Sequence, residues 1–124
     1  MKKTKNKFDP PEARKAQLNK GVADMALLLV LRGRAHYGLE ILEALNGVAG
    51  LGIADGTIYP LLHRLERQGF IAAEWVTDTP NGRPRKYYRL TEAGRATLDE
   101  MIADWRRVSG GVERLLTGDD DAER

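Results

Sequence analysis

Few folds can accommodate the fifteen residues from Gly56 to Phe70, GTIYPLLHRLERQGF. On a helical wheel at about 100° per residue, Ile58, Leu61, Leu62 and Leu65 gather on one side. Pro60, His63 and Arg67 centre the opposite side, with Thr57 and Arg64 on one edge and Tyr59 on the other. The apolar stripe has to be buried, so the face carrying cations and polar rings is held outward. Proline inside a helix removes a donor and meets the carbonyl four residues earlier. Pro60 therefore belongs in an opening turn, which puts the helix start at Gly56 or Thr57 with Asp55 as candidate N-cap.

The chain then turns extended. Phe70 to Thr77 is rich in aromatic and β-branched residues, Asp78 to Gly82 is a turn cluster, and Arg85 to Leu90 is a second extended run. This predicts a hairpin with a loop of about five residues. Arg83, Arg85, Lys86 and Arg89 fall in it without an intervening acid. Tyr87 and Tyr88 point to opposite faces, one core and one exposed, and only the register decides which. Trp75 on the first strand is expected in the core. A helix with an outward basic face followed by a cationic hairpin is the order of a winged helix-turn-helix. The fold class is thus α+β, mainly α.

Two helices precede this unit. The first is expected from about Ala13 to Leu31, on the spacing of Leu18, Val22, Met25, Leu28 and Leu29, with Gly33 as its stop. The second is expected from Tyr37 to Leu45, with Leu39, Leu42 and Leu45 on one face and Gly47 as exit. Gly47 to Gly56 reads as the turn between helices two and three. It lacks the lysine and Ser/Thr of a phosphate-binding loop. Thr91 caps a last helix in which Leu98, Met101, Trp105, Val108, Val112 and Leu115 recur at alternating steps of three and four. That alternation is a left-handed coiled-coil seam. The seam meets either the first helix or its own copy in a second subunit, and the copy is the favoured reading. Gly110-Gly111 weakens its middle and is a candidate kink.

Composition narrows the function classes. The 124 residues amount to one domain, read as a basic arm (1–12), a winged helix-turn-helix (13–90), a dimerisation helix (91–117) and an acidic tail (118–124). The net charge of +2 says little, but its distribution says more: Lys2, Lys3, Lys5 and Lys7 crowd the start, and acids crowd the end. With no cysteine, disulfides and thiolate metal sites are excluded. The apolar run Met25 to Leu31 is too short to span a bilayer, and the basic start lacks the apolar core of a signal peptide, so a cytoplasmic location is expected. No nucleophile–base pair, carboxylate pair or nucleotide loop suggests an enzyme, and no cofactor is implied. His63 has no array of ligating residues around it, so a metal site is not expected.

Three segments, HYGLEILEAL (His36 to Leu45), GTIYPLLHRLERQGFI (Gly56 to Ile71) and GRPRKYYRLTEAGR (Gly82 to Arg95), resemble the PadR family of bacterial transcriptional regulators. The resemblance runs from about Gly21 to Val108. It implies a homodimeric winged helix-turn-helix that represses transcription by occupying operator DNA. One helix after the wing resembles the compact branch of that family. Some members of that branch bind flat aromatic compounds between tryptophans at the dimer centre, and Trp105 stands where the stacking tryptophan does. The basic amino-terminal arm is not part of the family pattern.

Independently of the resemblance, a helix-turn-helix sets the N-terminal residues of its second helix against base edges in the major groove. The candidates are Thr57, Tyr59, Pro60, His63 and Arg64, with Arg64 able to reach guanine or phosphate. Tyr37 can bond a phosphate or pack against the third helix. Arg83, Arg85 and Lys86 on the wing can enter the minor groove. The four amino-terminal lysines either add non-specific affinity or only solubilise. Trp105 either packs the seam or stacks on a ligand. The expected partners are a pseudo-palindromic operator, a second copy and a flat aromatic molecule, and no membrane. A winged helix that binds protein without ligand gating is the alternative, and it would need an apolar or acidic outer face on the third helix.

Overall fold

The computed structural model describes residues 11–118, so the amino-terminal lysines and most of the acidic tail lie outside the described residues. The elements are α1 (Pro11–Val30), β1 (His36–Tyr37), α2 (Gly38–Gly47), α3 (Asp55–Arg67), β2 (Ile71–Val76), β3 (Arg85–Leu90) and α4 (Glu92–Thr117). The three strands form an antiparallel sheet in the order β1-β3-β2. One core joins them. Leu27 and Leu28 of α1 with Leu31 just after it, Ile41 and Leu45 of α2, and Ile58, Leu62 and Leu65 of α3 meet Ile71, Tyr88 and Leu90 of the sheet and Leu98 of α4.

Local sequence explains most boundaries. Pro11 opens α1, where its missing N–H costs nothing and its fixed φ suits the first turn. The helix thus starts two residues earlier than its apolar spacing predicts. It ends at Val30, closed by Arg32 N–H to the Leu29 carbonyl at 3.1 Å, and Gly33 does not adopt the left-handed conformation expected of a stop. Leu18 and Leu39, both placed on buried faces by periodicity, are exposed. The buried side of α1 is Ala23, Leu27 and Leu28; of the predicted stripe Leu28 is buried, and Val22, Met25 and Leu29 are partly buried against the core.

The turn between α2 and α3 is built from side-chain bonds and two left-handed glycines, Gly50 (φ 67°) and Gly52 (φ 66°). Asn46 accepts from the Ile53 N–H at 2.7 Å and donates to the Ile53 carbonyl at 2.9 Å. Asn19 of α1 donates to the Leu51 carbonyl at 2.5 Å, while the Leu51 side chain is buried between the helices. The approach to α3 is therefore pinned from both α1 and α2.

Helix α3 begins at Asp55, with Ala54 rather than Asp55 at the N-cap position and no side-chain cap. Pro60 consequently sits one residue deeper than a start at Gly56 would put it. The Gly56 carbonyl loses its usual donor there, and as it is near the helix start only one intrahelical bond is lost. At the other end Gly69 (φ 83°) closes the helix: its N–H bonds the Glu66 carbonyl at 3.0 Å and the Phe70 N–H bonds the Leu65 carbonyl at 3.1 Å.

That closure is welded to the start of α4. The Phe70 carbonyl accepts from Thr91 N–H at 3.1 Å, and the Thr91 hydroxyl donates to the Gly69 carbonyl at 2.7 Å. The same hydroxyl accepts from the Gly94 N–H at 2.9 Å, capping α4 as its sequence predicts. From Glu92 to Thr117 the helix is unbroken, running straight through Gly110-Gly111, and Gly118 (φ 81°) ends it. A Cβ on Gly94 would overlap the Phe70 carbonyl oxygen and lie 2.8 Å from Leu90 Cδ1. Gly94→Ala is accordingly expected to cost roughly 1–3 kcal/mol of unfolding free energy, read as a lower urea midpoint at unchanged slope.

Candidate nucleic-acid interface

Helix α3 presents the two faces its wheel predicts. Ile58, Leu61, Leu62 and Leu65 are buried; Thr57, Tyr59, Pro60, His63 and Arg67 are exposed. The Tyr59 ring lies across the first residue of α2, and a Cβ on Gly38 would come within 2.7 Å of the Tyr59 hydroxyl. Gly38 thus leaves the space that Tyr59 occupies. Arg64 is more constrained than its neighbours. Its Nη1 and Nη2 reach Asp24 Oδ2 and Oδ1 of α1 at 3.0 and 2.8 Å, a two-point grip on the guanidinium. Hydrogen bonding to Asp24 raises the Arg64 pKa above its already high ordinary value.

The hairpin register settles the tyrosines. Ala73 opposes Tyr88 and Trp75 opposes Lys86, so Ile71, Ala73, Trp75, Lys86, Tyr88 and Leu90 share the sheet face turned toward the helices. Tyr88 is the buried ring, and burial is the main cause pushing its phenol pKa up, with Glu66 and Tyr59 adding to it. Beyond Tyr88 that face leaves the core. Trp75, expected in the core, is 65% exposed and stands at the wall of the open cleft between α3 and the hairpin. Lys86 lies 5.5 Å above the Tyr88 ring and 3.9 Å from Glu66 of α3.

Arg85 and Tyr87 occupy the other face. The Arg85 guanidinium stacks 4.3 Å above the Tyr37 ring, and Tyr37 meets Tyr87 edge-to-face at 5.5 Å. Tyr37 therefore belongs to β1, just before α2, and its ring braces the wing. Arg83 is exposed in the hairpin loop, which spans residues 77–84 rather than five residues. Its N–H is held by Asn81 Oδ1 at 3.1 Å and its carbonyl by the Thr79 hydroxyl at 2.6 Å. Between α3 and the wing lies a cleft of about 350 Å³, with Tyr59, His63, Trp75, Pro84 and Lys86 in its walls.

Thus Thr57, Tyr59, Pro60 and His63 are all exposed on α3, with Tyr59 and His63 toward the wing and Thr57 and Pro60 toward α1. Arg64 is turned to α1, and Lys86 faces the cleft rather than the outer side with Arg85. Sequence reasoning missed the restraining acids, Asp24 and Glu66. The available signal was an isolated acid just before the apolar run of α1. Among the described residues no group of three His, Cys, Asp or Glu is placed to hold a metal ion.

The α4 seam divides in two. Leu98 is only 1% exposed and packs in the core of its own chain, so it is not available to a partner. Met101 is half-buried against that core, while Trp105, Val108, Val112 and Leu115 are exposed. The seam begins as α4 leaves the domain. A groove of about 510 Å³ runs between α1 and α4 beside it, lined by Leu18, Met25, Met101, Trp105 and Val108 together with Asp24 and Asp104.

A family model described as the transcriptional regulator PadR-like family matches residues 27–100, which includes α2, α3, the wing and the start of α4. The chain belongs to this family. Over 70 residues it is 47% identical to a transcriptional regulator of Mycobacterium tuberculosis, covering 56% of this chain and 60% of that one. The crystal structure of a PadR family regulator from Eggerthella lenta superposes with a TM-score of 0.71 at 38% identity, over 85% of this chain and 90% of that chain. A PadR-like regulator from Bacillus cereus gives 0.74 at 33% identity, over 81% and 96%. This PadR-like chain is a winged-helix transcriptional regulator and not an enzyme. Because Trp75 lies outside its core, Trp75→Ala is expected to change unfolding free energy by no more than about 0.5 kcal/mol, measured by urea denaturation.

Proposed function

We propose that this chain is a homodimeric repressor that holds two α3 helices against a pseudo-palindromic operator. The observation that carries the reading is the exposed face of α3, Thr57, Tyr59, Pro60 and His63, of which Tyr59 and His63 share a cleft with Arg85 of the wing, while Arg83 is exposed in the hairpin loop. The first four have the chemistry to meet base edges and thymine methyls, and the wing arginines have the chemistry to meet phosphate or a narrow minor groove. Binding then rests on two separable terms, a salt-dependent phosphate term and a salt-insensitive base term. No described helix is long and apolar enough to cross a membrane, and a regulator working on operator DNA acts in the cytoplasm.

Dimerisation is assigned to the exposed seam of α4. Trp105, Val108, Val112 and Leu115, with Leu116 beside them, are apolar side chains that a helix in water would not carry without a partner. A second copy of α4 has the matching repeat. Half-sites would then lie about one helical turn apart. Release is assigned to a flat aromatic ligand at Trp105, favoured as a cation by Asp104 in the same groove. Such a ligand acts only through a preference for the dimer geometry that fits the operator poorly.

Three results test this. Trp105→Glu is expected to sediment as a monomer and to lose operator binding; a dimeric variant would move the interface elsewhere. Arg85→Ala is expected to lower the slope of log affinity against log salt by about 0.9 while keeping operator preference. A planar cationic dye is expected to quench tryptophan fluorescence saturably in the parent and in Trp75→Ala, but not in Trp105→Ala. Equal quenching in Trp105→Ala would make Trp105 a packing residue.

A further inference from the structure

Arg64 sits within the row of α3 side chains assigned to DNA, yet it is the one member of that row gripped by another helix. Asp24 and Arg64 are 40 residues apart in sequence, and both carboxylate oxygens are engaged by the two terminal nitrogens at 2.8 and 3.0 Å. Side-chain exposures of 43% for Arg64 and 30% for Asp24 leave the pair open to solvent, where an ion pair adds little to folding. Its geometry nevertheless has a consequence. A guanidinium is a planar fork, and one held at both terminal nitrogens cannot rotate freely. Nε–H and the remaining terminal hydrogens are left for a second partner. The carboxylate also cancels the charge that would otherwise attract any phosphate.

We propose that Asp24 is a specificity-determining positioning residue. By clamping Arg64, it converts a mobile cation into a fixed donor that favours operator over other sequences. This rests on the DNA-contact reading of α3 given above. Two further features of α1 fit the role. Asn19, on the same helix, fixes the turn leading into α3 through the Leu51 carbonyl, so helix and arginine are registered from one support. Asp24 is also flanked by the buried Ala23 and the partly buried Met25, which anchor its backbone in the core.

The consequence runs opposite to that of a simple contact residue. Loss of Asp24 frees a cation, so affinity for arbitrary DNA should rise while discrimination falls. The experiment measures dissociation constants for operator and for scrambled duplex with the full-length parent, Asp24→Asn, Asp24→Glu, Arg64→Ala and the double variant Asp24→Asn/Arg64→Ala, with circular dichroism as the check of fold. In Asp24→Asn the ratio of scrambled to operator dissociation constants is expected to fall roughly fivefold or more, mainly by tighter binding of scrambled DNA. Asp24→Glu, which keeps the charge and can still reach the fork, is expected to restore most of the ratio. In the Arg64→Ala background the Asp24→Asn change should no longer alter it.

An equal gain for both duplexes in Asp24→Asn would show a carboxylate that merely repels DNA, and would overturn the proposal. So would an Asp24→Asn effect that persists without Arg64. Either result leaves Arg64 as a contact if Arg64→Ala alone weakens operator binding. No loss in Arg64→Ala would remove both the contact and its clamp.

Discussion

Everything the molecule presents outward is referred to one junction, the bonding of Thr91 to Gly69, Phe70 and Gly94. Helix α3 ends there, the hairpin starts and returns there, and α4 begins there. The Thr91 hydroxyl donates to one element while accepting from another, and the bare Cα of Gly94 lets the Phe70 carbonyl come close. Directional hydrogen bonds at one corner, set beside the core, fix the local backbone path more narrowly than non-directional apolar packing does. The angle between the face assigned to DNA and the helix assigned to dimerisation is therefore a backbone property. In a symmetric dimer that angle sets the spacing of the two α3 helices.

Helix α1 is the second support. Its inner side fills the core, Asn19 pins the turn before α3, Asp24 holds Arg64, and Leu18 and Met25 wall the groove beside Trp105. One rigid element thus touches both ends of the assigned regulatory path. Asp24 borders the Trp105 groove and also the α1–α3 groove that contains Arg64. A ligand that moved α1 by a fraction of an ångström would be felt at the recognition face through packed contacts rather than through a hinge.

Much of this was legible from residue patterns, and the failures are physical rather than random. Buried Ile58, Leu61, Leu62 and Leu65 followed from a strong 3.6-residue period, and Thr91 from cap chemistry. Trp75 was misplaced because strand alternation assigns a face but not what covers it. Leu98 was assigned to the dimer because a heptad pattern cannot say where a helix leaves its own domain. The Gly33 stop and the Asp55 cap failed for a shared reason: residue type proposes an end, while the turn bonds from Arg32 to Leu29 and from Thr57 to Ala54 close the helices one or more residues away. Asp24 and Arg64 are 40 residues apart, so the acid standing before the apolar run of α1 can be noticed in the sequence but its partner cannot be read there. Cleft, clamp and braced Tyr37 all depend on contacts between distant segments.

The most direct test of the account is selection of bound duplexes from a randomised DNA pool by the purified full-length protein at physiological salt, followed by sequencing. Enrichment of an inverted repeat with half-sites about ten base pairs apart is the predicted result, and it would establish paired α3 helices reading bases. A pool that stays random, although the protein retains it in a salt-sensitive way, would contradict the account. In that case the basic wing grips phosphate while α3 reads nothing.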